Sequence, residues 1–306
     1  MRKGLAIGLL ASAILISLAV AARHELMRFA LQGGVALATG YPVQIGSLHV
    51  GVDETALDDL IVGDAASPLL RARHIVVRYS LRDLLPGSSR RFGLRAIEVD
   101  GAKVTLIRYS DGSFNLRLPS AAAPPPQRAN SVPLRFAVRL RDCAADLREP
   151  SAYDASAKEL RIRYIALDAS VDTAAVTHYR GSGAFEEMRD EPFSIVGRVD
   201  AIRGFAIHRA RAAVFPARAL ANYFADTPAV RVQGGEGHNL DARLYALGVT
   251  PDDPGTYHVS LSLDVRDARL ALQTLATPVE ALNAHLQVVD NAFFVRAPKS
   301  ADRERT

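Results

Sequence analysis

His258-Val259-Ser260-Leu261-Ser262-Leu263-Asp264-Val265 puts an apolar side chain at every second position. In an extended backbone successive side chains point to opposite faces, so this period describes a strand with one apolar and one wet face. The same reading applies outward from it. Leu282, Ala284, Leu286 and Val288 alternate with Asn283, His285 and Gln287, and Ile75, Val77, Tyr79 and Leu81 alternate with Val76, Arg78, Ser80 and Arg82. Val43 and Ile45, then Leu48, Val50 and Val52, open the series. Parallel sheets buried on both faces read as continuous apolar runs, so a doubly wound fold is disfavoured and a mainly β chain is expected.

The ends differ. Arg2 and Lys3 precede Gly4 to Ala22, 19 residues without a charge. At 1.5 Å per residue these span roughly 28 Å, about the thickness of a bilayer's hydrocarbon. A single transmembrane helix is expected, with the bulk of the chain outside the cytoplasm. Ala19-Val20-Ala21 also has the small-x-small form of a cleavage site, so a removed signal peptide stays open. Apolar residues at Leu26, Phe29, Leu31 and Val35 continue a helical period as far as Thr39-Gly40-Tyr41-Pro42, which ends it.

The expected organisation is an anchor helix with its extension over 1–38, a first β unit over 39–118, a Pro/Ala-rich linker over 119–133, a second β unit over 134–297 and a polar tail over 298–306. The linker contains Pro124-Pro125-Pro126, which forbids a central strand. Pro216 to Phe224 has the spacing of a short helix. Three segments share a pattern: Val99-Asp100-Gly101-Ala102, Val265-Arg266-Asp267-Ala268 and, more loosely, Leu140-Arg141-Asp142-Cys143. Each sets Asp and small residues inside an apolar alternation, as a bend between strand halves requires. Chance similarity among strands of one composition is the competing reading.

Catalytic signals are missing. The eight histidines lack metal-site spacing, and the single cysteine, Cys143, sits in a strand-like run and reads as a small buried hydrophobe. Gly181-Ser182-Gly183 lacks the frame of a hydrolase elbow and reads as a turn. No enzyme activity, no metal and no cofactor are expected. Net charge is +4 without a basic stripe, which argues against nucleic acid as a partner.

The order of segments carries a resemblance. A membrane helix leads into Thr39-Gly40-Tyr41-Pro42-Val43-Gln44-Ile45-Gly46, then Tyr79-Ser80-Leu81-Arg82-Asp83-Leu84-Leu85, then Arg108-Tyr109-Ser110-Asp111-Gly112-Ser113-Phe114-Asn115-Leu116 before the Pro-rich linker. This resembles the amino-terminal region of the AsmA-like superfamily, TamB-type proteins in particular, over 1–118 and more loosely over 134–297. The resemblance implies an elongated, curled antiparallel β-groove with a few short helices, similar to bridge-like lipid-transfer proteins. It implies a single-pass inner-membrane protein with its bulk in the periplasm. Phospholipids, the membrane and outer-membrane assembly proteins are the implied partners, in lipid transport or outer-membrane assembly. This chain is shorter than the usual TamB-type protein. Candidate groove-lining residues are Ile75, Val77, Tyr79, Val104 and Leu106. The alternative is an envelope scaffold whose strand edges pair with a partner.

Overall fold

The computed structural model describes residues 28–29, 31–36, 40–84, 93–109, 113–115, 135–149, 158–188, 190–200, 202–217, 230–249, 256–272, 277–290 and 292–296. The expected membrane helix, linker and polar tail lie outside these residues, as does the helix expected over Pro216–Phe224 beyond Ala217. No helix among the described residues is long and apolar enough to cross a membrane.

The described chain is mainly strand and forms one open sheet of 14 strands. They are β1 (Val43–Gln44), β2 (Ser47–Val50), β3 (Glu54–Asp64), β4 (Ser67–Tyr79), β5 (Leu94–Ile107), β6 (Arg135–Glu149), β7 (Lys158–Asp172), β8 (Val176–Phe185), β9 (Pro192–Asp200), β10 (Phe205–Phe215), β11 (Val230–Leu247), β12 (Thr256–Leu272), β13 (Val279–Val289) and β14 (Ala292–Arg296). From β3 onward each strand pairs with the next in sequence, while β1 and β2 both pair with β3. All pairs are antiparallel except β5 and β6, which run parallel with Ala96 opposite Ala137 and Leu106 opposite Leu147. This corrects the all-antiparallel expectation. Parallel neighbours need a long return connection, and the chain between Ile107 and Arg135, with its prolines, supplies the length. The two stretches either side of the linker therefore share one hydrogen-bonded sheet.

Ahead of β1, residues 28–29 and 31–36 are helical. The helix ends where expected: Gly40, at φ 73°, donates its N–H to the Ala36 carbonyl. Leu31 packs on Ile45, Leu48 and Leu57, and Arg28 donates to the Gly46 carbonyl at 2.8 Å. The alternation through Leu81 stops earlier than expected, because Leu81–Leu84 forms one 3-10 turn.

The strands are not straight. Asp59, Gly101, Asp142, Tyr164, Asn239, Asp267 and Ala281 adopt positive φ in mid-strand. Aspartate, asparagine and glycine tolerate this region best, and they hold five of these seven positions. Each such residue resets the alternation, so that the residues two before and one after it point to the same side. Leu57 and Leu60 flank Asp59 in this way and share one cluster. Val99 and Ala102 flank Gly101, and Leu140 and Cys143 flank Asp142. The bends lie at matching heights: Arg73 is opposite Gly101 in the β4–β5 register, and Gly101 faces Asp142 in that of β5 and β6. A seam thus crosses β3 to β7, and a second crosses β11 to β13. All three repeat segments place their third residue (Gly101, Asp142, Asp267) in the left-handed region, followed by a buried small residue: Ala102, Cys143 or Ala268.

The seam gives a stability test. Gly235 has φ 109°, and a Cβ there would lie 2.6 Å from the Ala268 Cα, so Gly235→Ala should cost about 2 kcal/mol or more. Ala281→Gly relieves a left-handed alanine and should be neutral or stabilising by up to about 1 kcal/mol. Denaturant melts that show both changes to be neutral would refute the bends.

Candidate functional site

The sheet has two chemically distinct faces. Cross-strand register places Ile75 beside Val99 and Leu140, and Val77 beside Ile97 and Val138. Beyond the bend, Leu70 lies beside Val104 and Ala145, and Leu106 beside Leu147 and then Leu160. The row continues on the same side through Phe193 and Ile195 to Leu240, Leu244, Val259, Leu261, Leu263 and Leu286.

The other face carries charge. His74 lies 2.6 Å from Asp58, Arg139 2.8 Å from Glu98, Arg141 2.9 Å from Asp168 and His285 2.7 Å from Asp264. Arg73 reaches both Asp100 and Asp142. Such exposed pairs contribute little stability, about 0–1 kcal/mol each, but they penalise a one-residue slip of register.

Two acids on this face are buried, Asp146 and, beside Arg198, Asp200. Asp146 is 1% exposed, 2.7 Å from the Lys103 ammonium and 2.5 Å from the Arg163 guanidinium. Burial alone would raise its pKa, yet the hydrogen bonds and charge of Lys103 and Arg163 hold it net below the ordinary carboxylate value.

The apolar face has no closed core behind it. Among the described residues, the apolar side chains exposed below 2% are alanines: Ala72, Ala246 and Ala268. Larger side chains divide: Leu160, Phe185 and Phe215 form a buried cluster at 4%, 7% and 3% exposure, while Val259 at 40% and Val295 at 61% lie open further along the face. A packed sandwich would bury its largest side chains completely.

The five sequence candidates fall on this one face. Ile75 packs against the clusters built on Leu57 and on Ala72, and Val77 follows it along β4. Val104 and Leu106 lie across the bend, five and seven residues from Val99; straight alternation would put them on the opposite side, and Gly101 returns them. All five are half-buried. Tyr79 also holds the fold, since its hydroxyl donates to the Gly51 carbonyl at 2.8 Å and pins the β2–β3 turn.

Three features escaped sequence reasoning. Gly181 and Gly183 lie inside β8, not in a turn. A Cβ at Gly183 would meet the Phe193 ring, at Gly197 the Tyr179 ring and at Gly237 the Phe215 ring. Flat rings laid over glycines of the neighbouring strand replace the bends in this part of the sheet. Next, the Tyr179 hydroxyl meets His208 Nδ1 at 2.6 Å on the apolar face, and burial lowers the His208 pKa and raises that of Tyr179. A neutral imidazole accepting the Tyr179 hydroxyl at Nδ1 carries its proton on Nε2. Finally, Asn115 satisfies the edge of β5 beyond the last β4 pair: it accepts from the Ile107 N–H at 2.7 Å and donates to the Thr105 carbonyl at 2.9 Å. Ser113, Phe114 and Asn115 thus close a strand end, with Phe114 bridged to Arg108. Cys143 is buried at 5% exposure with its thiol pKa raised by burial.

Among the described residues no three His, Cys, Asp or Glu side chains converge in a metal-binding arrangement. The chain matches no known family model, and no curated protein matches it.

The His208 environment sets a pH dependence. Its folded pKa lies below the ordinary 6.5, so in acid the unfolded chain binds a proton that the folded chain does not. The stability present above about pH 6.5 should fall as pH drops through the lower, folded value. His208→Leu should flatten that limb of the curve of melting temperature against pH. An unchanged curve in the variant would show that His208 is not desolvated.

Proposed function

We propose that this chain handles lipid in the envelope of a two-membrane bacterium. In this reading a helix over Gly4–Ala22 anchors it to the inner membrane, with the sheet in the periplasm. The apolar face acts as a groove for phospholipid acyl chains, as the AsmA/TamB-type resemblance implies. The carrying observation is an apolar face that runs from strand to strand across the sheet, with side chains such as Val259 and Val295 left open along it. Each methylene buried there contributes about 0.8 kcal/mol, so a tail binds through many weak contacts without a polar anchor. The charged face keeps the back of the sheet in water.

A second reading has one observation in its favour. Among the described residues β14 pairs only with β13, and Phe294 and Val295 on it are exposed. A free strand of that kind is a template for strand addition, as an assembly scaffold for outer-membrane proteins would need.

Site-specific photocrosslinking in cells separates the two. A benzophenone side chain at Val104 or Leu106 should capture phospholipid, and one at Arg71 on the charged face should not. Leu106→Asp should leave the protein folded, because a half-buried carboxylate on an open face still reaches water. The same change should reduce lipid captured by the Val104 probe severalfold. Protein adducts with no lipid adducts at either apolar position would reject the groove.

A further inference from the structure

The charged face changes character at one corner. Over most of its width its cross-strand neighbours are ion-paired. At the end of β9, β10 and β11 they are apolar and exposed instead. Phe205 pairs with Leu247, and Ile207 pairs with Tyr245. Ile207 and Leu247 are each 46% exposed and Tyr245 is 38% exposed. Beside them Ile202 stands 73% exposed in the turn between β9 and β10. The Val249 N–H donates to the Gly204 carbonyl at 3.0 Å, so this turn and the end of β11 form one rim. Isolated exposed apolar residues are ordinary, but a contiguous group facing away from the apolar face calls for an occupant.

The charge around the corner says what kind. Around this rim, Arg180, Arg198, Arg203, Arg209, Arg211 and Arg243 outnumber Asp200 and Asp241, together with Asp168 opposite Arg180 and Asp290 beside His258. Arg198 lies over the Phe205 ring at 5.5 Å from its centroid, and Asp200, Asp241, Asp168 and Asp290 are already held by Arg198, by Arg209 and Arg243, by Arg141 and by His258. Exposed aliphatic side chains at a turn tip, a tyrosine beside them and surplus guanidinium form the combination that seats on a lipid interface. Aliphatic groups enter the headgroup boundary, the phenol stays at its level and the arginines meet phosphate.

We infer that the Ile202–Tyr245–Leu247 corner is a docking surface for an anionic phospholipid bilayer. It is separate from the apolar face, so it holds or fails independently of whether that face carries acyl chains. It sets one rim of the sheet against a membrane and leaves the apolar side unobstructed.

The test uses the full chain reconstituted in phosphatidylcholine nanodiscs and floated with vesicles containing phosphatidylglycerol. Wild type should rise with these vesicles and much less with vesicles of phosphatidylcholine alone. Arg203→Ser should lower recovery about fivefold, and Ile202→Asp should lower it at least as much. Both positions are exposed turn residues, so melting temperatures should stay unchanged. Val52→Asp is the control, because it alters an exposed apolar residue in the turn between β2 and β3, at the other end of the sheet, and should float as wild type. Wild-type recovery of Ile202→Asp overturns the inference, as does equal recovery with both kinds of vesicle. A loss in Val52→Asp as large as that in Ile202→Asp overturns it too.

Discussion

A strand keeps its two faces distinct only while its residues alternate, and this sheet depends on breaking that alternation once in most of its long strands. Val99 and Val104 are an odd number apart, as are Leu57 and Leu60. In a straight strand each pair would divide between the faces. One residue in the left-handed region restores them to the same side. Because the bends sit opposite one another across neighbouring strands, the correction is collective. A single strand that failed to bend would present its far half inverted to both neighbours, charge towards apolar and apolar towards water.

This constraint explains what could be read from the sequence. The period of two was visible in 75–82 and 258–265, and it fixed the mainly β class. The bends were visible where Asp or Gly stood between apolar residues three apart, as in 99–102, 140–143 and 265–268. Tyr164 and Ala281 bend their strands without a compositional mark, since nothing in a tyrosine or an alanine announces positive φ. The glycines of β8 misled because glycine's commonest use is in turns. Here Gly183 makes room for the Phe193 ring on the adjacent strand, and Gly181 for Leu167 and Ile195 on the strands either side. The parallel step between β5 and β6 was equally hidden: local pattern says that a strand has one apolar face, not which strand lies beside it.

The candidate site was legible for the same reason and within the same limit. Ile75 and Val77 follow from alternation, but placing Val104 and Leu106 with them requires Gly101 to be a bend. Tyr79 shows the cost of reading residue type alone, because its hydroxyl is committed to the Gly51 carbonyl while its ring faces the site. The Tyr179–His208 pair could not be foreseen, since the two residues meet only through the packing of three consecutive strands. On the opposite face the ion pairs serve specificity more than stability: they make every neighbouring strand recognisable to the next in a sheet whose backbone would otherwise accept several registers.

The aligned bends have a consequence for how such a molecule can change in size. Because each bent strand carries its turning point at the height set by its neighbours, a two-stranded unit with a bend at that height can stand beside any other bent pair. Whole hairpins can be duplicated or deleted at a boundary without disturbing the cross-section on either side. A single inserted residue has no such freedom: placed in one strand, it shifts that strand's turning point against both neighbours. A bent region of this kind can therefore lengthen or shorten by pairs of strands while keeping the profile of the surface it presents.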